Sequence, residues 1–280
     1  MGETAASHAR EPERAHEREQ ALAVAESLAR EAGALLMEHF GRLDPATIGT
    51  KSSARDLVTA ADLGSERLIV RGLRAAFPNH SIEAEEEVHD AIDAVDALRP
   101  RWFLDPLDGT VNFVHQMPAF AVSIALYIGD EPEVAVVHLP RLAETFTAAR
   151  GEGACLNGAP IHVSRKQRLS ESILATGFPY RRNELEHNNL ANFDRFFLDV
   201  RDLRRMGSAA MDLAYVAAGR IDGFWELHLS PHDVAAGALL VREAGGVVKD
   251  ADGGVDWLRG GHIVASGPAL FEAIRERIRH

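Results

Sequence analysis

The chain has 280 residues, 46% of them hydrophobic and 26% charged, an ordinary globular balance long enough to bury roughly three quarters of its unfolded surface. Its 42 acids against 30 lysines and arginines give a net charge of -12, which argues against a nucleic-acid-binding surface. Cys155 is the only cysteine, so no intramolecular disulfide forms; no apolar run reaches transmembrane length, and no signal segment opens the chain, so a cytoplasmic protein without a membrane partner is expected.

In chain order, residues 1 to about 18 mix four acids with three arginines and read as a disordered tail or a frayed helix extension. From Glu19 to Phe40, Leu28, Ala32, Leu35, Leu36 and Phe40 recur at helical spacing, and Gly41 closes the run. A second helix fits Asp62 to Ala76, with Ile69 and Leu73 on one face and Pro78 as its stop. Strands follow at His80 to Ala84, Arg101 to Leu104, Ala119 to Ile128, Glu133 to Leu139 and Glu144 to Ala149, the third and fourth joined by the turn-forming Gly129 to Pro132. Past Ala154 the pattern alternates: strand Ser172 to Thr176, helices Leu185 to Phe197 and Ser208 to Ala218, strand Asp222 to Glu226, helix Asp233 to Ala244. Short strands at Val247-Val248 and His262 to Ala265 and a last helix from Pro268 complete it. Two lobes, 19–153 and 154–280, are expected to meet at a cleft.

The most informative stretch runs from Trp102 to Phe113. An apolar lead-in ends at Asp105, Pro106 fixes the backbone, Asp108 follows three residues after Asp105, and Gly109 turns the chain into Thr110. Hard divalent cations such as Mg²⁺ take oxygen ligands, so converging carboxylates joined by the Leu107 carbonyl suit one. The Gly109 and Thr110 amides face an anion at a helix start. Metal, phosphate and a polarised hydroxyl together point to metal-assisted phosphate hydrolysis, against the plainer reading of a surface turn.

The segment from Asp105 through Gly109 to Phe113 resembles the first signature of the inositol monophosphatase family. Trp225-Glu226 to Pro231-His232-Asp233 and Gly237, running into Glu243 and Gly246, resembles its second, and Lys51 to Thr59 followed by Asp62 resembles a third element. The resemblance covers the chain from about Glu19 onward. It implies an α+β fold, the layered αβαβα sandwich of the inositol monophosphatase and fructose-1,6-bisphosphatase type, with the metal site between the lobes. It also implies a lithium-sensitive homodimer, to which the apolar strands Ala119–Ile128 and Glu133–Leu139 lend modest support.

The resemblance further implies residue roles. Glu85, Asp105, the Leu107 carbonyl, Asp108 and Asp233 would hold Mg²⁺, roughly two to three ions per subunit, with Asp105 bridging. The Glu85-Glu86-Glu87 run leaves a one-residue slip to Glu86 open. Thr110 and Asp62, with Glu85, would orient the attacking water. Asp108, Gly109, Thr110, Gly207, Ser208, Ala209, Glu226 and Asp233 would bind substrate, the amides and hydroxyl of the 207–210 segment facing a polyol, and Lys51 would sit in a mobile loop near the metals. Read on its own, Asp233 is the N-cap of an apolar helix and Asp62 a helix-start acid. His232 stands where the family carries tryptophan, beside a ligand but off the polyol, and reads as a tolerated change.

Other patterns are weaker. Asp250-Ala-Asp252 opens like a calcium loop but reaches Gly261 where a bidentate Glu is needed. Pro231 breaks the helix that would align His228 and His232 on zinc. The expected protein is a Mg²⁺-dependent phosphomonoesterase releasing inositol from inositol monophosphate, its partner a small phosphorylated polyol. The alternatives are a related phosphatase acting on fructose 1,6-bisphosphate, adenosine 3′,5′-bisphosphate or histidinol phosphate, or a non-catalytic regulatory protein on the same fold.

Overall fold

The computed structural model describes residues 2–53, 55–90 and 99–280, with side chains from Arg14 onward. Helix α1 spans Gly2–His39, so the segment expected as a tail or frayed extension continues that helix; its side chains through position 13 and Ala54 of the Lys51–Thr59 motif lie outside the described residues.

A hairpin of β1 (Gly49–Thr50) and β2 (Leu57–Val58), missed in the sequence for its shortness, leads into α2 (Ala60–Ala76). Thr59 caps α2 through a capping box with Asp62, which starts the helix two residues earlier than expected.

The first sheet is seven-stranded: β3 (Ser81–Ala84), β4 (Pro100–Asp108), β5 (Ala121–Ile128), β6 (Glu131–Leu139), β7 (Glu144–Ala149), β8 (Gly153–Leu156) and β9 (Ala159–Ile161), in that order. Only the β3–β4 pair is parallel. Strands β8 and β9 carry this sheet to Ile161, past the lobe boundary expected at 153/154, because Gly151 and Gly153 turn the chain straight back onto β7. Glu243 fixes that turn by accepting from the Gly151 and Gly153 amides at 3.0 and 2.9 Å.

The second sheet is five-stranded, in the order β11-β10-β12-β14-β13: β10 (Ile173–Thr176), β11 (Asp202–Arg204), β12 (Gly223–Leu227), β13 (Val247–Lys249) and β14 (His262–Ser266). Between the sheets lie α5 (Ala209–Ala217) and α6 (Pro231–Glu243), touching β4 to β7 on one side and β10, β12, β13 and β14 on the other. Helices α1 and α2 cover the outer face of the first sheet; α4 (Leu190–Phe197) and α7 (Phe271–Arg275) close the second. The stack is therefore αβαβα.

Two-sided burial explains the apolar strands. Along β5, Val122, Ile124 and Leu126 face α1 and α2, while Ala121, Ala125 and Tyr127 face α5 and α6. In β6, Val134 and Val136 alternate with Ala135, Val137 and Leu139 in the same way. The apolar surface read as a surplus for dimerisation is spent inside the monomer.

The helix expected from Leu185 begins at Leu190, because Asn189 takes φ 74°, outside any right-handed helix. Its buried side chain donates to the Gly177 carbonyl and Thr176 Oγ1 and accepts from Trp225 Nε1 at 2.8 Å.

Glu66, fully buried on α2, accepts from the backbone amides of Glu86, Glu87 and Val88 at 2.8, 2.8 and 3.1 Å. It braces the acidic turn after β3. Glu66→Ala leaves those amides without their acceptor and is expected to cost about 3 kcal/mol. Urea unfolding should show this as a lower midpoint at unchanged slope. A loss under about 1 kcal/mol would mean water replaces the carboxylate and the brace is dispensable.

Candidate functional site

The site forms where the end of β4 meets the first turns of α2, α5 and α6. The β4–β5 register shifts between Asp105, opposite Ser123, and Asp108, opposite Ala121. That extra residue is a bulge, and it aims both aspartates toward the same region. Gly109 then takes φ 97°, and a Cβ there would lie 2.9 Å from the Ala119 carbonyl, so only glycine fits. The turn delivers Thr110 as the first residue of the short helix α3 (Thr110–Val114). Asn112 ties this corner to the second lobe, donating to the Ala119 and Met206 carbonyls at 2.6 and 2.8 Å.

A cavity of about 480 Å³ opens here, lined by Glu85, Asp108, Ser208, Glu226 and Asp233 among others. Gly207 and Ala209 also line it, as does Lys51. Asp105, Thr110 and Asp62 are buried next to it. Glu85 lies on the cavity, whereas Glu86 turns to Lys51 and stays off it.

Each acid has its own support. Asp105 accepts from the Leu107 amide at 2.9 Å. Asp108 accepts from Ser208 Oγ and the Ala210 amide, both at 2.7 Å. The Ser208 hydroxyl and one α5 amide expected to face a polyol are thus occupied by Asp108. Ser230 is the N-cap of α6, Pro231 its first residue, and Asp233 the third helical position, accepting from the Ser230 amide at 2.6 Å. The N-cap role read for Asp233 therefore belongs to Ser230, and Asp233 closes the capping box from within the helix. Asp62 Oδ2 accepts from the Thr59 amide and hydroxyl at 2.9 and 2.6 Å. The Thr110 hydroxyl lies 3.1 Å from Asp62 Oδ1 and 3.2 Å from the Leu107 carbonyl.

The electrostatics are those of crowded, buried negative charge. Burial, then Glu85, Asp108 and Asp233, drives the Asp105 carboxyl well above its ordinary value. Burial and Asp233 push Asp108 to about 7, against its hydrogen bonds from Ser208 and Ala210. Burial pushes Glu226 to about 8, with Arg205 opposing and Asp233 and Asp108 adding. Asp233 rises through burial and Glu85, with His232 opposing. Burial works against the Glu85 charge as well, but His232 and Lys51 outweigh it and hold that carboxyl below its usual range. Lys51 Nζ lies 2.7 Å from Glu85 and 2.5 Å from Glu86.

Such a set fits a hard divalent cation: all-oxygen donors, partly buried, each disfavouring its neighbour's charge. Among the described residues, no three of these side chains are already gathered around one ion position, and the Lys51 ammonium stands on Glu85 as a counter-charge. His232 lines the cavity itself, its Nε2 3.7 Å from Asp233 Oδ1, closer to the site than expected from the sequence. Arg205, Tyr180 and Asp212 also line the cavity and were not picked out from the sequence. Arg205 had a signal, standing just before the Gly207 to Ala210 segment; Asp212 reads only as a first-turn helix acid.

Fold and site together define an αβαβα sandwich with an acid-rich, cation-suited cavity where the end of β4 meets the helices between its two sheets. The chain belongs to the inositol monophosphatase family, whose model matches residues 17–280. It is 45% identical over 264 residues to the Nus factor SuhB of Pseudomonas aeruginosa, covering 92% of this chain and 95% of that one. It also resembles the solved inositol monophosphatase from Anabaena (Nostoc), with a TM-score of 0.81 at 40% identity over 91% and 94% of the two chains. The extragenic suppressor protein SuhB from Bartonella henselae matches with a TM-score of 0.84 at 39% identity, over 92% and 97%.

The raised carboxyls make a pH prediction. Asp108 and Glu226 bind protons in the fold that the unfolded chain has already released, so their stabilisation is complete at low pH and lost as pH rises through about 7 and about 8. Buried His138, pushed down to about 4, opposes this trend only until the unfolded histidine has lost its proton, within about one pH unit above 6.5. In EDTA, the Tm should therefore fall by several degrees between about pH 6.5 and 8.5. Mg²⁺ should recover it, and Glu226→Gln should flatten the slope. A Tm that is level or rising across that window in EDTA would overturn the charge-crowding account.

Proposed function

We propose that the chain is a Mg²⁺-dependent phosphomonoesterase that hydrolyses inositol monophosphate to inositol and phosphate. The observation that carries this reading is the hydrogen-bonded chain from Thr59 through Asp62 to Thr110, set beside buried Asp105 and the half-buried Glu85, Asp108 and Asp233. Glu85, Asp105, the Leu107 carbonyl, Asp108 and Asp233 would hold Mg²⁺, which would supply charge neutralisation at phosphate and a more acidic water.

The chain's own residues do the rest. A threonine hydroxyl has one proton, and when it is donated to Asp62 Oδ1 the oxygen of Thr110 is left to accept. Thr110 Oγ1 then presents its lone pairs to a water, which it orients with Glu85. Asp62, doubly held by Thr59, keeps Thr110 in that rotamer. The Gly109 and Thr110 amides meet the phosphate, while Gly207, Ser208, Ala209 and Glu226 form the wall for the polyol. Glu226, with its carboxyl pushed to about 8, can donate as well as accept toward hydroxyls. Lys51, whose ammonium stands on Glu85, would have to release that carboxylate for it to serve as a ligand.

A solved relative named inositol monophosphatase supports the substrate. The relatives named Nus factor SuhB favour a second reading, in which this chain works as a Nus factor, with or without turnover. We further propose a cytoplasmic homodimer with no membrane or nucleic-acid partner, in keeping with the net charge of -12. Light scattering giving a mass near the 30.5 kDa monomer at micromolar concentration would overturn the dimer.

Phosphate release from inositol 1-phosphate is expected with Mg²⁺ and not in EDTA. Asp105→Asn should reduce kcat/KM by far more than tenfold, because it removes the charge that Glu85, Asp108 and Asp233 all face. A variant within about tenfold of wild type, or ~1.4 kcal/mol, would refute the bridging role. Absence of Mg²⁺-dependent release from any phosphomonoester would leave the Nus-factor reading standing.

A further inference from the structure

Asp212 lies in the first turn of α5, two residues beyond the Ala210 amide that holds Asp108. It is 2% exposed, it lines the same cavity as Asp108 and Glu226, and its Oδ1 has no hydrogen-bond partner among the described residues. Burial, then Glu226 and Asp108, drives its carboxyl well above the usual range, with Arg205 opposing. As a first-turn acid it gains from the helix dipole, but less than an unpaired buried carboxyl costs. The fold alone is better off without it. A buried polar atom left unpaired in a protein needs a reason, and here it borders a ligand-sized cavity.

Glu226 lines the same cavity and raises the Asp212 carboxyl by its charge. It is buried to 8% exposure on β12, and among the described residues no group hydrogen-bonds its carboxylate. Gly177, at the end of β10, lets that carboxylate lie against the backbone where a Cβ would collide with it. Arg205 opposes the upward shift of both acids, and so serves as their shared counter-charge. The cavity wall thus offers two carboxyl groups whose partners must come from the ligand. A carboxyl pair accepts and donates, and so does each hydroxyl of a diol.

We propose that Asp212 is a specificity-determining residue that, with Glu226, receives two adjacent hydroxyls of the substrate, making the site selective for phosphomonoesters of vicinal diols. The proposal rests on the phosphomonoesterase reading above. It assigns Asp212 to binding of the alcohol portion and gives it no part in the reaction at phosphorus.

The test compares wild type, Asp212→Ala and the near-isosteric Asp212→Asn on inositol 1-phosphate and on 4-nitrophenyl phosphate, which has no hydroxyl. Asp212→Ala should raise KM for inositol 1-phosphate by about tenfold or more while kcat stays within about threefold. Its kinetics on 4-nitrophenyl phosphate should stay within about twofold of wild type, and Asp212→Asn should recover part of the lost affinity. The ligand-free Tm of Asp212→Ala should rise, since an unpaired buried carboxyl has gone. A lower Tm with equal losses on both esters would show a structural role and overturn the proposal; if Asp212→Ala does not fold, Asp212→Asn is held to the same comparison. Should wild type hydrolyse neither ester, the phosphomonoesterase reading falls, and calorimetry with myo-inositol decides this one separately. Binding weakened about tenfold by the substitution upholds it, and equal binding in wild type and variant overturns it.

Discussion

Negative charge kept out of water is the constraint around which this molecule is arranged. Asp62, Glu66, Asp105 and Asp212 are each at most 2% exposed, and Glu85, Asp108, Glu226 and Asp233 crowd the cavity beside them. An unpaired buried carboxylate is costly, so each must find backbone amides, hydroxyls, a counter-charge or a proton. Glu66 takes three amides, Asp108 an amide and a hydroxyl, and Asp62 an amide and two hydroxyls. Asp105 has one amide against three acids pressing on it, and Asp212 and Glu226 have still fewer partners. The place where the protein's own groups fall shortest is where a divalent cation would contribute most.

The rigid part of the structure exists to hold that crowding still. Strands β4, β5 and β6 are buried on both faces between helical layers, so the aspartates at the end of β4 project from a sheet that has no solvent side to relax into. The bulge is the one departure from regular pairing at that edge, and it falls between Asp105 and Asp108. On the other side, α5 and α6 touch both sheets and bring their first turns to the same point. A shift of either sheet would be felt at the carboxylates through these helices.

Much of this was legible in the sequence, and the misses have physical causes. Long periodic elements such as α2 and β7 announced themselves, because amphipathic spacing over many residues has few alternatives. The apolar β5 and β6 were legible as strands, yet their two-sided burial was not, since a continuous apolar run looks the same whether a partner chain or the monomer's own helices cover it. Strands as short as β1, β2 and β11 carry too few residues to show a period. Asn189 broke a helix through a left-handed backbone that serves a buried hydrogen-bond junction, and no local pattern reveals a junction made at Trp225. Among the site residues, Glu85, Asp105, Asp108, Asp233 and Glu226 were named from their motifs. Glu66 and Asp212 resemble ordinary helix acids until the tertiary structure shows what surrounds them.

Helix starts join the fold to the site. Helices α2, α5 and α6 all begin at the cavity, capped by Thr59, Ser208 and Ser230. In each case the capping groups also contact an acid of the site: Thr59 holds Asp62, Ser208 holds Asp108, and the Ser230 amide holds Asp233. The positive end of each helix dipole therefore points at negative charge that folding has buried, and one set of atoms both starts the helix and stabilises the acid. Ser208 shows the consequence. Its hydroxyl donates to Asp108 while its oxygen accepts from the Met211 amide, so it has no proton left to donate to a substrate. Recognition of the alcohol portion would then draw on groups whose hydrogen-bonding capacity the fold has not consumed, and the carboxyls of Glu226 and Asp212 are two such groups along this wall.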